Sequence, residues 1–544
     1  MNGSNPFLTP PSTAACKAKY RSQETSRKSQ TPEDARKRSE RREEFLAKRR
    51  SGSFETPNQQ ENIIRKESVS SYLAAFAEFQ HESSSAPANS HALLKGVLGK
   101  MKSTEPKEVF KAVQKVRLVT ALEENPPLEL LVRMGFVRPL VSLLTPETEK
   151  HTLFEATWAL CNIAGGASSN TLAVVAEGAL APLIGLFGAA DPELVGQAIW
   201  AVGNIVSDNG HFRNMALDNG LLDSIFPFLK EDTSLALARS VSWLIVNICR
   251  TRNPPPSVDV IEALLPKIVW MVRHGDQLVR VDAVWSMAYL SDEPPELADL
   301  LVRDTVVLQS IADIPDSNPD NVKFLMGAVR LLGNLLSGTD AHCDAVIRAD
   351  FVRRFPALLQ SNFKCVQRET LMCVANVAAG SAEQIQTIID VPDFLIQILA
   401  FLQNDNRALV QEALWVVSNV VQGGNLWQIT ALLDCGVVLP LCDHLSSRDV
   451  NLVKIVLETV SDLLKRCPSD FMEQVCATIE KCGGFAKIEL LQQHDNEILC
   501  DLAYFIVDTF FKEDEYDQDD FFSWDPAATA AGVDTRSPYF KSTQ

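Results

Sequence analysis

Seven times in this chain a tryptophan, or a residue standing in its place, is followed four residues later by an asparagine or its stand-in. The pairs are Trp158 with Asn162, Trp200 with Asn204, Trp243 with Asn247, Trp285 with Tyr289, Arg330 with Asn334, Met372 with Asn376, and Trp415 with Asn419. A separation of four puts both side chains on one face of a helix, about one turn apart. An indole face attracts a cation and packs along the methylene stem of Lys or Arg, worth roughly 0.5–2 kcal/mol depending on desolvation. A carboxamide offers one acceptor and two donors, enough to bond the N–H and C=O of an extended peptide while ignoring its side chains. A single such pair is ordinarily a core indole beside a surface amide. Recurrence changes this: asparagine is a poor helix former and is costly when buried without partners, so a core gives it no reason to return in phase. The chemistry expected is a row of cation-accepting indoles flanked by backbone-binding amides.

Acids stand beside the row. Asp208 follows Asn204 by one turn, Asp282 precedes Trp285 by three residues, Asp340 follows Asn334 by six, and Glu369 and Glu412 each precede the tryptophan place by three. A carboxylate at the mouth of an indole surface turns an apolar cleft into a Lys/Arg site, because charge-assisted hydrogen bonds are the strong ones.

The elements that must hold this row follow from its period. Successive tryptophan places lie 42, 43, 42, 45, 42 and 43 residues apart. From about residue 91 to 512, apolar residues recur at helical spacing, broken by short Gly, Pro, Asn or Asp punctuation. A period of roughly 40–47 is that of armadillo and HEAT units, whose helices bury their apolar stripes only against neighbouring units. The fold expected is all-α: a right-handed armadillo-repeat superhelical solenoid of about ten repeats.

Charge is unevenly placed. Residues 1–50 carry 13 Lys+Arg against 6 Asp+Glu, so the other 494 residues hold a net −25 of the total −18. An acidic body favours basic partners, disfavours nucleic acid, and lets a basic arm of the same chain compete for its surface. Residues 1–34, rich in Ser, Thr, Pro and Gln, read as disordered. Thr31, Pro32, Glu33 and Asp34 make a helix start, and a basic helix is expected over about 33–50, including Arg36, Lys37, Arg38, Arg41 and Arg42 and closing on Lys48, Arg49 and Arg50. Residues 51–90 read as a flexible linker. Residues 513–525 hold seven acids and no base, with Tyr516, Phe521, Phe522 and Trp524 among them, and 513–544 read as an acidic disordered tail.

No run of about 18 apolar residues occurs and the amino terminus lacks an apolar signal segment, so neither membrane insertion nor secretion is expected. The twelve cysteines form no ligand-spaced cluster and read as buried thiols in a reducing compartment. With no phosphate-cradling motif, metal cluster or nucleophile arrangement, the chain is expected to be a binding protein without cofactor or catalysis.

Dense local matches carry a family resemblance: Gln114 to Arg117, Glu124 to Glu129, Asn247 to Pro256, Trp285 to Asp292, Gly333 to Asp340, and Glu480 to His494. Together they resemble importin alpha from about residue 33 to 520. The resemblance implies a nuclear import adaptor, shuttling between cytoplasm and nucleus, that binds Lys/Arg-rich localisation signals in its groove. It implies a major site at Trp158, Asn162, Gly166, Thr171, Gln197, Trp200, Asn204, Asp208, Trp243 and Asn247, where Gly166, Thr171 and Asp208 match the residues that hold one lysine. It implies a minor site at Asp282, Arg330, Asn334, Asp340, Glu369, Asn376, Glu412, Trp415 and Asn419, with Met372 departing from the tryptophan found there in the family. The basic arm is similar to the importin-beta-binding segment, and Lys48, Arg49 and Arg50 look like its autoinhibitory signal mimic. The acidic tail is similar to one that helps bind a nuclear export receptor, with Ran-GTP on the partner receptors. The alternative is an adhesion or cytoskeletal armadillo scaffold, which takes acidic partners in a basic groove.

Overall fold

The computed structural model describes residues 87–121, 126–250, 253–292, 295–303, 305–312 and 321–511. The basic arm (Arg36, Lys37, Arg38, Arg41, Arg42 and Lys48 to Arg50 within it) and the tail 513–544 lie outside those residues. All regular structure among the described residues is helical.

Ten long helices organise the molecule: α1 (Pro106–Thr120), α2 (Lys150–Ala164), α3 (Pro192–Asp208), α4 (Leu235–Arg250), α5 (Gln277–Leu290), α6 (Val322–Ser337), α7 (Lys364–Ala378), α8 (Arg407–Gly423), α9 (Val450–Arg466) and α10 (Glu497–Phe510). Each packs on the next, α1 on α2 through α9 on α10. The remaining helices, mostly shorter, lie before α1 or between the ten, with the single helix Val258–Val272 between α4 and α5, and one continuous apolar core runs from Leu94 to Ile506. No unit could bury its stripe alone, which makes the stack itself the folding unit.

Local chemistry marks each unit in the same places. Most long helices begin at an acid or amide whose side chain accepts from the first-turn N–H groups: Asp191 from Glu193, Asp276 from Leu278 and Val279, Asn406 from Ala408 and Leu409, Asn496 from Ile498 and Leu499. Three caps also reach back one unit: Asp191 to Lys150 at 3.1 Å, Asp276 to Arg239 at 2.6 Å, and Asp449, which caps α9 by accepting from the Asn451 N–H, to Arg407. The Arg239 hydrogen bond holds the Asp276 carboxyl below its ordinary range. Between the two short helices of a unit the chain turns through a left-handed residue: Gly178 and Gly220 early, Gly436 and Gly483 late, with Asp350 and Asp393 taking the same corner in the middle. An aspartate there costs roughly 1 kcal/mol that glycine does not.

Eleven cysteines lie among the described residues, all as free thiols. Cys365 is exposed, and Cys435, Cys476, Cys482 and Cys500 are half-buried, so only part of the set matches the expectation of buried thiols. Burial pushes Cys249 up to about 12.

Candidate functional site

The ladder occupies one fixed position in the repeat. In each of α2 to α8 the tryptophan place is the ninth residue and the asparagine place the thirteenth, so the seven pairs run along one side of seven consecutive helices. Trp200 is the most open indole at 37% exposure, while Trp158, Trp243, Trp285 and Trp415 are half-buried. Trp200 and Trp243 are ring neighbours, with centroids 6.3 Å apart and planes tilted by 50°. Parallel rings clasping a methylene stem need about 7–8 Å between them, so at 6.3 Å and 50° this pair forms a wedge and not a parallel slot. Trp285 is turned toward Tyr289, at 5.7 Å, and donates its N–H to the Lys323 carbonyl.

The residue just before the asparagine place makes the close packing possible. At Gly203 a Cβ would lie 2.2 Å from the Trp243 ring, so only glycine lets that indole settle on α3. At Gly333 the nearest atoms to a Cβ are the Cys373 sulfur at 3.6 Å and Met372 at 3.7 Å, and the slimmer methionine leaves ordinary contact distance.

The amides do more than face outward. Asn204, Asn334, Asn376 and Asn419 each donate an N–H to a carbonyl one unit back, at Cys161, Ala288, Gly333 and Ala375, over 2.9–3.1 Å. The acceptor is in every case the twelfth residue of the preceding long helix. Asn162 reaches Thr120 Oγ1 at 3.1 Å, and Asn247 bonds back within its own helix to Trp243. One donor of each amide is therefore spent on the fold, about 1 kcal/mol per bond. Asn162, Asn204 and Asn334 remain half-buried, whereas Asn247, Asn376 and Asn419 are buried at 1, 2 and 8% exposure.

Around α3 the residues singled out converge. Asp208 ends the helix and accepts from Ser168 Oγ and Asn209 Nδ2, each at 2.7 Å. Ser168 brings the exposed 165–168 loop beside it, and Thr171, fully buried, anchors that loop by donating to the Ala164 carbonyl at 3.0 Å. Gly166 lies in this loop, exposed, where a Cβ would press on Asn170 and Leu128 at 2.7 and 2.8 Å. A carboxylate beside the carboxyl-terminal end of α2 is a place for an ammonium, since helix carbonyl ends carry partial negative charge. Gln197, 5% exposed, has a side-chain N–H group without a hydrogen-bond partner among the described residues.

The later half differs from the expectation of open acids. Glu369, 4% exposed, is bound by Arg330 at 2.9 Å, and Glu412, 6% exposed, lies 3.6 Å from Arg368. Asp282 accepts from Ser242 at 2.6 Å. Asp340 is exposed in the first turn of helix Asp340–Arg348. The cation at the fifth rung, Arg330, thus serves the carboxylate of the sixth. At the first rung, Arg117 of α1 lies over Trp158 and binds Glu155; Arg117 closes the Gln114 to Arg117 match without a role assigned to it there, and Glu155 does not stand out in the sequence, although it precedes Trp158 by the same three residues as Glu369 and Glu412 precede their rungs.

Comparison with known proteins agrees with this architecture. The Armadillo/beta-catenin-like repeat family matches residues 124–165 and 168–207, and the Atypical Arm repeat family matches 473–522. The crystal structure of an engineered protein superimposes with a TM-score of 0.66 at 22% identity, over 76% of this chain and 98% of its own. Importin subunit alpha-3 of Arabidopsis thaliana is 31% identical over 493 residues, 89% of this chain and 91% of its own. Importin subunit alpha-3 of Caenorhabditis elegans is 31% identical over 78% of this chain, and importin subunit alpha-1a of Oryza sativa subsp. japonica 29% over 78%, each matched across 81% of its length. With the repeat architecture and this likeness extending over nine-tenths of a relative, the chain belongs to the importin alpha family of armadillo-repeat nuclear import adaptors.

Proposed function

We propose that this chain binds Lys/Arg-rich nuclear localisation signals along the ladder and links them to importin beta through its basic arm, residues 1–50, with Arg36, Lys37, Arg38, Arg41 and Arg42 as contacts. The observation that carries this reading is the single helical position shared by seven successive rungs. A peptide lying across α2 to α8 passes an indole at five of the seven rungs, for its basic side chains, and the half-buried amides Asn162, Asn204 and Asn334, for its backbone. The stretch over α2 to α4, with Asp208 and three indoles, forms the major site. The stretch over α5 to α8 forms a minor site whose acids are largely engaged by Arg330 and Arg368.

Residues 51–90 tether the arm, 91–512 form the repeats, and Lys48, Arg49 and Arg50 compete with cargo for the major site. In the cytoplasm importin beta captures the arm and frees the ladder. In the nucleus the arm and an export receptor that engages the acidic tail, with Ran-GTP on the partner receptors, displace the cargo.

Fluorescence anisotropy of a labelled Lys-rich peptide against the full-length protein tests the ladder. Saturable binding that an acidic peptide does not compete away is expected. Binding of an acidic cadherin-like peptide, with none of the basic one, would reassign the protein as an adhesion-type scaffold.

A further inference from the structure

Arg117 is the twelfth residue of α1, and its guanidinium carbon lies 4.6 Å from the centre of the Trp158 ring. Its Nε and Nη2 donate to the Glu155 carboxylate at 2.6 and 3.2 Å, and the two residues are only 3 and 8% exposed. Phe154 braces the same indole edge-on, with centroids 5.7 Å apart. At the twelfth position of α2 to α9 the chain carries nothing larger than valine, Gly203, Gly333 and Ala375 among these residues. At Gly203 and Gly333 the ninth side chain of the following helix, Trp243 and Met372, lies against the helix backbone. In the first interface an arginine fills that place. A cation over an indole beside a carboxylate is also the chemistry by which a basic side chain would seat on such a row.

We infer that Arg117 is a built-in occupant of the ladder. It plugs the slot formed by Trp158 and Glu155, ends the run of slots at the α1 side, and so sets how many basic side chains a bound peptide seats and in which register. This rests on the proposed peptide-binding role. Arg117 acts as a positioning residue, by holding Trp158 in place and excluding a further Lys or Arg.

The test compares a Lys-rich parent peptide with two versions extended by one Lys, at the amino or the carboxyl end, on the full-length chain. Any competition from the arm acts on all three alike, so the ratio of affinities is the readout. The unaltered chain is expected to bind all three equally. Arg117→Ala is expected to favour one extended peptide over the parent by roughly two- to thirtyfold, and Arg117→Lys to behave as the unaltered chain. If Arg117→Ala unfolds because Glu155 is left unpaired, Arg117→Ala with Glu155→Gln removes that charge; a smaller gain for the extended peptide is then expected. No gain in a folded variant, or a preference for the extended peptide already in the unaltered chain, overturns the inference. Failure of the unaltered chain to bind any basic peptide would instead overturn the proposed function.

Discussion

Asp208 and Glu412 are both carboxylates within a turn of a ladder residue, yet their surroundings set them apart. Asp208 is half-buried and accepts from the neutral donors Ser168 and Asn209. Glu412 is buried beside Arg368. A carboxylate already facing a guanidinium has little attraction left for an incoming lysine, whereas one bonded to a hydroxyl and an amide keeps its charge available. Asp208→Lys is therefore expected to weaken a monopartite Lys-rich peptide by at least about thirtyfold, because it places a like charge in the site. Glu412→Ala should weaken it by no more than a few-fold. Anisotropy titrations on both variants check this, and equal small losses would mean that the major site lies elsewhere.

Between helices, the two glycines preceding Asn204 and Asn334 have opposite expectations. Gly203→Ala drives a methyl into the Trp243 ring and is expected to destabilise by about 1–3 kcal/mol, the range of overpacked cores. Gly333→Ala meets only ordinary contacts at 3.6–3.7 Å, so the better helix propensity of alanine should make it neutral, or stabilising by up to ~1 kcal/mol. Denaturant unfolding of the two variants separates them, and a neutral Gly203→Ala would show that Trp243 can move aside. The same comparison explains what methionine at 372 does: it occupies the rung without pressing on the seat beneath it, and it lacks the indole quadrupole.

Across the whole molecule, the proposed competition for the ladder rests on the charge division between a basic arm and an acidic body. A tether of a few dozen residues holds a competitor at an effective concentration on the order of millimolar, enough to suppress cargo even at modest intrinsic affinity. Removing residues 1–70 is expected to tighten Lys-rich peptide binding, and adding importin beta to the full chain should do the same; equal affinity with and without the arm would discard self-inhibition while leaving the ladder in place. The sequence by itself determined the repeat, the seven rungs and the charge division, because a residue kept in phase every 42–45 positions shows in one dimension. Only the tertiary structure decided which acids are open. Arg330 meets Glu369 and Arg368 meets Glu412 across 39 and 44 residues of chain, and whether a base of one helix faces the acid of the next depends on how the helices pack. The same holds for the amides, each tied by one N–H, mostly to the preceding unit, and for Arg117, whose place over Trp158 exists only once α1 lies against α2.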